Sequence, residues 1–428
     1  METIKYQKFN ETLFTERLSN GLQVNLLPRP EFHQTYGILT ARYGSIDNKF
    51  IRDGKLQHYP NGIAHFLEHK LFEKEDHDAF DEFAKYGADS NAFTSFTRTS
   101  YLFSTSQNIA QCVSSLLDFV QHPFFSTATV EKEKGIIAQE IKMYEDDASW
   151  QLLFGVMQNL YPQTALTADI AGSVSSIQQI TPEMLYENYH AFYQPGNMSL
   201  MLVGNFDLEK IMNLIRKSQA EIQSKPVQIK RVPLFEKKPL PLIKTGTKRM
   251  NIMRPKLGIA VRGDCQLDVN ERMQYKVALQ LLLEMLFGES SSDFQYLYDA
   301  GIIDNSFGYE IQLEEDFHFV YFSMDTAKVQ EANDAIREIL LNAGSKIKQQ
   351  EKIFELMKRE FIGRYLKGMN SNENIADQFD QWLFGNQIIL DAISAIQNLS
   401  IDDLIKLAEQ LFKAEQITEF QILPKEQK

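Results

Sequence analysis

Ile177-Gln178-Gln179-Ile180-Thr181 returns 219 residues later as Ile396-Gln397-Asn398-Leu399-Ser400, and each copy is followed by a helical segment and then a strand. Thr181 and Ser400 both read as helix N-caps, because a hydroxyl oxygen there accepts from a free backbone N–H of the first turn. A repeated phrase with the same sequel predicts a chain built as two copies of one domain.

Upstream of the first copy, the Asn20-Gly21 turn leads into the alternating strand 22–27, which Pro28 ends. The apolar run 35–43 reads as a core strand, 63–72 changes to helical spacing, and 78–86 is a helix stopped by Gly87. Residues 90–106, rich in Thr, Phe, Ser and Tyr, read as one or two strands, and helical periodicity resumes at 109–120 and 130–144. Residues 224–248 break the pattern with Pro226, Pro233, Pro239 and Pro241 among seven lysines and arginines, as an extended linker does. Beyond it the order returns: strand 257–262, helices 273–287 and 294–300, strand 317–324, then long helices. The expected division is a first domain over 1–223, a linker over 224–248 and a degenerate repeat over 249–428.

The 428 residues, 43% hydrophobic and 24% charged, describe a soluble globular protein. This length accommodates roughly two to four domains with cores of their own, which excludes a disulfide-stapled miniature fold. No run approaches the roughly 18 to 20 apolar residues of a membrane span, and residues 1–8 lack the apolar segment of a signal peptide, so no membrane is expected and the default compartment is the cytoplasm. Cys112 and Cys265, far apart and without a CxxC spacing, read as buried and inert. The net charge of −13 argues against a nucleic-acid partner and favours neutral or basic ones.

The chemistry concentrates in Gly62-Ile63-Ala64-His65-Phe66-Leu67-Glu68-His69. Histidines four residues apart share one helix face, while Ile63, Leu67 and Leu71 fall on the opposite side, so an apolar face can be buried as both imidazoles meet one cation. From the chain's own composition, His-x-x-Glu-His arises by chance in about 1% of sequences this long. The competing reading is a surface helix with an incidental cluster. On the segment 130–144, Val130, Glu133, Ile137, Glu140 and Tyr144 form one stripe, with Glu131, Glu145 and Asp146 on or towards the opposite face. Carboxylates on a buried stripe are costly unless paired or bound to a metal, so Glu133 and Glu140 are either ligand candidates or salt-bridged.

These residues resemble the pitrilysin/insulinase family of zinc peptidases, the inverzincins, whose signature is His-x-x-Glu-His with a distant glutamate. Gly87, Asn91-Ala92-Phe93-Thr94 and Tyr101 are similar to that family's Gly...Asn-Ala-x-Thr...Tyr segment, and Glu133 and Glu140 have its seven-residue spacing. The resemblance spans nearly the whole chain, which looks like a short, bacterial-type subunit. It implies an α+β fold of two homologous domains, each a mostly antiparallel sheet covered by helices, with a single site. It further implies Zn2+ bound by His65, His69 and Glu140, Glu68 as general base, Glu133 as an accessory acid, and zinc-dependent endopeptidase activity on peptides or unfolded segments. The stretch Asn91 to Thr94 is then expected to offer an edge strand to an extended peptide, against an ordinary core strand as the alternative.

One departure stands out. Family members often carry an Arg and a Tyr within a Leu-Arg-Glu...Gly-Leu-x-Tyr segment, whereas the similar stretch here is Leu297-Tyr298-Asp299-Ala300-Gly301-Ile302-Ile303-Asp304, with Tyr309 out of register. The resemblance therefore implies a heterodimer partner carrying the Arg-Tyr pair, with a homodimer as the competing arrangement. The rival function is a non-catalytic peptide-binding or scaffold subunit of a peptidase pair. The other histidines, His33, His58, His77, His122, His190 and His318, have no partner at metal spacing and are assigned no role.

Overall fold

The computed structural model describes residues 1–220, 222, 229–235, 239–264 and 266–426. Cys265 and residues 224–228 and 236–238 of the expected linker lie outside the described residues.

Two compact units form. The first comprises Met1–Lys142, Ala168–Pro233 and Met369–Phe379. Its strands are β1 (Glu2–Tyr6), β2 (Glu11–Arg17), β3 (Gln23–Pro28), β4 (Thr35–Ala41), β5 (Lys49–Arg52), β6 (Lys55–His58), β7 (Asp89–Thr94), β8 (Thr99–Thr105), β9 (Met198–Gly204) and β10 (Ile229–Arg231). Seven of them make one sheet in the order β1-β2-β3-β9-β4-β8-β7, and β10-β5-β6 make a small second one. In the large sheet β3 and β9 run parallel and the other pairs antiparallel. The expected Asn20-Gly21 turn joins β2 to β3, with Gly21 at φ 94°. β4 and β9 are buried at all seven positions each, which is why the run beginning at Thr35 reads as continuous and not alternating.

The second unit comprises Met143–Thr167, Leu234–Gly368 and Asp380–Lys428. Its strands are β11 (Thr245–Met250), β12 (Lys256–Arg262), β13 (Gly308–Leu313), β14 (His318–Asp325) and β15 (Ile417–Pro424), ordered β11-β15-β12-β14-β13. Only β11 and β15 are parallel. That order reproduces β3-β9-β4-β8-β7, with the parallel pair at the same place, so the duplication predicted from the repeated phrase is present in the topology. Thr181 and Ser400 are the N-caps they read as: Thr181 Oγ1 accepts from Met184 N and Ser400 Oγ from Asp403 N, both at 3.3 Å. Their helices, Pro182–Phe192 and Ile401–Leu411, lead into β9 and β15.

Each half gives one helix to the other half's unit. Ala148–Leu160, from the first half, packs on β12 and β15, while Asn372–Asp377, from the second, packs on β4 and β9. In the first unit a buried arginine secures the donated segment: Arg29 donates to Glu11 Oε1 (2.8 Å), Met369 O (2.7 Å) and Asn372 Oδ1 (2.9 Å). A buried guanidinium is tolerable only when its donors are met, so this helix and that charge depend on each other. The stretch expected as a linker contributes β10, paired with β5, and part of β11. Cys112 is buried, and burial pushes its thiol up to about 11, as expected for an inert cysteine. Among the described residues no helix is long and apolar enough to cross a membrane.

Candidate metal centre

The helix Ile63–Phe72 carries both motif histidines. It opens on Gly62 at φ 90°, where a side chain would meet Ala171 O at 2.4 Å, and Gly172 at φ 79° in turn leaves no room beside Asn61 O, also 2.4 Å. Two backbones approach this closely only where both residues are glycine. Ser176 Oγ donates to Asn61 O at 2.8 Å and closes the same joint. The helix packs against β7, β8 and the helices Ile109–Gln121 and Pro182–Phe192. Ile63, Leu67 and Leu71 are buried as the wheel predicts, but so are Phe66, His65, Glu68 and even Lys70, which pairs with Glu73. An amphipathic reading therefore underestimates this helix, which is enclosed on nearly every side.

The helix Thr127–Asp146 faces it with the predicted stripe: Val130, Glu133 and Ile137 are buried, Glu140 and Tyr144 half-buried, and Glu131, Glu145 and Asp146 exposed. Glu140 Oε1 lies 3.7 Å from His65 Nε2, and its Oε2 lies 3.5 Å from His69 Nε2. One ligand-type atom from each of the three residues falls within 4.8 Å of the others. Those gaps are too long for hydrogen bonds. They are close to the roughly 3.3 Å that separates two donors each about 2.0–2.1 Å from a tetrahedral cation. His65 Nδ1 is buried without a hydrogen-bond partner among the described residues, so that ring is not held by an ordinary polar network. Two imidazoles and a carboxylate thus fit a zinc-type ion.

Glu133, expected beside the site as an acid, meets the cluster at His69: its Oε1 is 3.0 Å from His69 Nδ1. Glu68 Oε2 accepts a hydrogen bond from Thr94 Oγ1 at 2.7 Å. Burial pushes the His65 pKa down to about 3, with the neighbouring His69 adding to the effect, so its imidazole is neutral. For His69 burial acts downward too, but the hydrogen bond to Glu133 and the charges of Glu68, Glu133 and Glu140 outweigh it, and its pKa rises. Burial raises the Glu68 carboxyl against the opposing pull of the Thr94 hydrogen bond and His69. Burial would raise Glu133 as well, yet the His69 hydrogen bond and nearby cations bring it below the usual carboxylate value.

β7 lies at the edge of the seven-stranded sheet, so Asn91, Ala92, Phe93 and Thr94 belong to an edge strand and not to a core one. Asn91 and Ala92 line a cavity of about 560 Å³ together with Glu68, His69 and Glu133, whereas Phe93 lies under the guanidinium of Arg98 at 5.8 Å. The cavity also takes in Phe72, Phe80, Ile136 and Lys132, which sequence reasoning missed. Phe80 and Ile136 are large apolar residues left more than 40% exposed, a state that periodicity does not foresee. In the second unit Tyr298 is 43% exposed and Asp304 accepts from Arg254 at 2.8 Å. Tyr309 donates to Glu284 at 2.8 Å, so the stretch 297–304 and its neighbour present no Arg-Tyr pair.

Fold and cluster together define a duplicated α+β protein with a single His-x-x-Glu-His centre of metallopeptidase type. Residues 51–173 match the family described as Insulinase (Peptidase family M16), and residues 179–361 match Peptidase M16 inactive domain. The chain is 41% identical to YmfH of Bacillus subtilis (strain 168), described as an uncharacterized zinc protease, over 99% of this chain and 100% of that one. A crystal structure of an "M16-like peptidase" from Alicyclobacillus acidocaldarius superposes with a TM-score of 0.89 at 32% identity, covering 99% of this chain and 100% of that chain. A protease from Helicobacter pylori shares the fold at a TM-score of 0.82 and 20% identity, covering 96% and 99%. The chain belongs to the pitrilysin/insulinase family of zinc peptidases.

Proposed function

We propose that this chain is a zinc-dependent endopeptidase acting on peptides or unfolded segments. The observation that carries the proposal is the convergence of His65, His69 and Glu140 beside Glu68 and an edge strand. His65, His69 and Glu140 would hold the ion, and Glu133 fixes the His69 ring from behind. Zinc bound there supplies a Lewis acid that lowers the pKa of a water and polarises a peptide carbonyl. Glu68 takes the proton of the attacking water and returns it to the nitrogen of the departing amine. An extended peptide adds to β7 through main-chain hydrogen bonds, with its side chains entering the cavity lined by Phe72, Phe80 and Ile136.

The missing Arg-Tyr pair supports a second subunit that supplies it. Tyr298 and Asp304 stand where the resembling segment has Arg and Tyr, and Asp304 is committed to Arg254 and Ser306. Native mass spectrometry of the complex isolated from its source tests this, and two identical subunits with full activity would remove the need for a different partner. The same gap keeps the non-catalytic subunit as the rival reading.

The deciding experiment is cleavage of a mixed pool of short peptides by the purified protein and by Glu68→Gln, with the zinc content of each determined. Cleavage by the wild type alone, with both proteins zinc-loaded, supports the peptidase and its base. Zinc bound without cleavage by either, even with the co-purified partner added, supports the scaffold reading.

A further inference from the structure

Thr94 is the last residue of β7 and the partner of Thr99, immediately before the chain reverses. Strand alternation puts its side chain on the same face as that of Ala92, which lines the cavity. From there its Oγ1 donates to Glu68 Oε2 at 2.7 Å, across a sequence separation of 26 residues. We propose that Thr94 is the positioning residue for Glu68, its hydroxyl fixing the base relative to the edge strand on which a peptide is laid. This rests on the peptidase reading above.

Both ends of the hydrogen bond stand on backbone that is held in place. After Thr94 the turn is closed by Ser95 N donating to Arg98 O (2.8 Å) and Arg98 N donating to Ser95 Oγ (3.2 Å). Ser45 N and Ile46 N donate to Ser95 O and Phe96 O at 3.0 and 3.1 Å, and Thr99 Oγ1 donates to Tyr43 O at 2.8 Å. The turn is therefore tied to the segment after β4 as well as to β8. On the other side, the helix bearing Glu68 begins at the close glycine joint between Gly62 and Gly172.

Between these two supports lies a glutamate side chain with three rotatable bonds. A hydroxyl donating to a carboxylate is a charge-assisted hydrogen bond, stronger than a neutral one, and here it selects one orientation. The consequence is geometric: a peptide that pairs with β7 and the base that serves its scissile bond share one reference, the backbone of residue 94. Misplacing a reacting group by about 1 Å can cost on the order of 10²-fold in rate, while main-chain pairing of the substrate is untouched.

The experiment compares the zinc-loaded full-length wild type with Thr94→Val, which keeps shape and strand propensity without the hydroxyl, and Thr94→Ser, which keeps the hydroxyl. Thr94→Val is expected to lower kcat by about 10- to 100-fold with KM within about 2-fold, because an interaction of the reacting state is lost and uniform binding is not. Thr94→Ser is expected to restore most of kcat, and zinc affinity by chelator competition is expected to be the same in all three. An unchanged kcat in Thr94→Val, a rise confined to KM, or a serine variant as slow as the valine one overturns the proposal. Crystal structures of the three proteins give a reading that needs no turnover. The Glu68 carboxylate should sit within hydrogen-bond distance of residue 94 in wild type and Thr94→Ser and turn away in Thr94→Val. A carboxylate unmoved in Thr94→Val overturns the proposal even if the wild type cleaves nothing, an outcome that would separately count against the peptidase reading.

Discussion

His69 presents Nδ1 to the Glu133 carboxylate at 3.0 Å, while its Nε2 faces Glu140 at 3.5 Å. One ring thus spans the cluster and a further carboxylate, and in the proposed centre Glu133 would act by fixing the orientation of that ring. Removing such an outer carboxylate typically weakens metal binding by about 10- to 100-fold. Glu133→Ala should lower zinc affinity by that factor in a chelator competition, and Glu133→Gln, whose amide oxygen still accepts from Nδ1–H, should lower it less. Were Glu133 instead an acid acting directly on substrate, both variants would keep zinc affinity and lose kcat alone.

The joint between Gly62 and Gly172 makes a contrasting pair of stability predictions. Gly172→Ala places a Cβ 2.4 Å from Asn61 O at φ 79°, combining a clash with backbone with a left-handed conformation. It should cost about 1–3 kcal/mol or more in urea unfolding. Gly135, inside the helix Thr127–Asp146, has nothing within 4 Å of its added Cβ. Gly135→Ala should stabilise by about 0.5–1 kcal/mol, because alanine restricts the unfolded chain and favours the helix. Similar effects from the two substitutions would show that the close approach is not what constrains residue 172.

The centre was legible because its constraints are local. Two histidines one turn apart, and carboxylates on a stripe that should be apolar, depend only on helix geometry and on the cost of burying charge. The repeat was legible through Thr181 and Ser400, which are N-caps in fact. What stayed hidden depends on packing between segments far apart in sequence. The helix Ala148–Leu160 falls in a stretch the sequence reading passes over, the sheet it covers is set by distant packing, and periodicity gives no hint that Lys70 is fully enclosed. The bond between Thr94 and Glu68 joins a strand end to a helix interior, which no spacing rule anticipates. The hairpin of β5 and β6 was missed for a different reason: its Asp53-Gly54 turn, with φ 51° and 76°, is a sequence signal that went unread.

Asp304 occupies the place where the resembling segment has a tyrosine, and its pKa is pulled down to about 2 by hydrogen bonds from Ser306 and by the Arg254 guanidinium. Because the folded value lies below the unfolded one of 3.8, the charged form favours the folded state. The contribution is complete above about pH 4 and disappears as the pH falls from there toward about 2. The site is open to solvent, so screening keeps the effect below about 1 kcal/mol. Asp304→Asn should therefore be slightly less stable than wild type by a margin constant from pH 7 to pH 4 and shrinking below it. A margin that vanishes between pH 7 and pH 5 would mean the difference arises from another titrating group.

Strand addition to β7 makes a prediction about the substrate and not about the enzyme. β7 has strand neighbours on one side only, and a peptide paired along its other side turns its own N–H and C=O groups toward that edge at every second residue. N-methylation removes a donor and leaves the side chain in place. In a peptide that the protein cleaves, scanning N-methyl substitution along the chain should lower kcat/KM at alternate positions, by about 5- to 10-fold for each lost main-chain hydrogen bond. The positions between should be tolerated, since their N–H groups point away from β7. A peptide tolerant at every position is held by its side chains alone, and one intolerant at every position is excluded by bulk; either pattern removes strand pairing as the way substrate is laid beside Glu68.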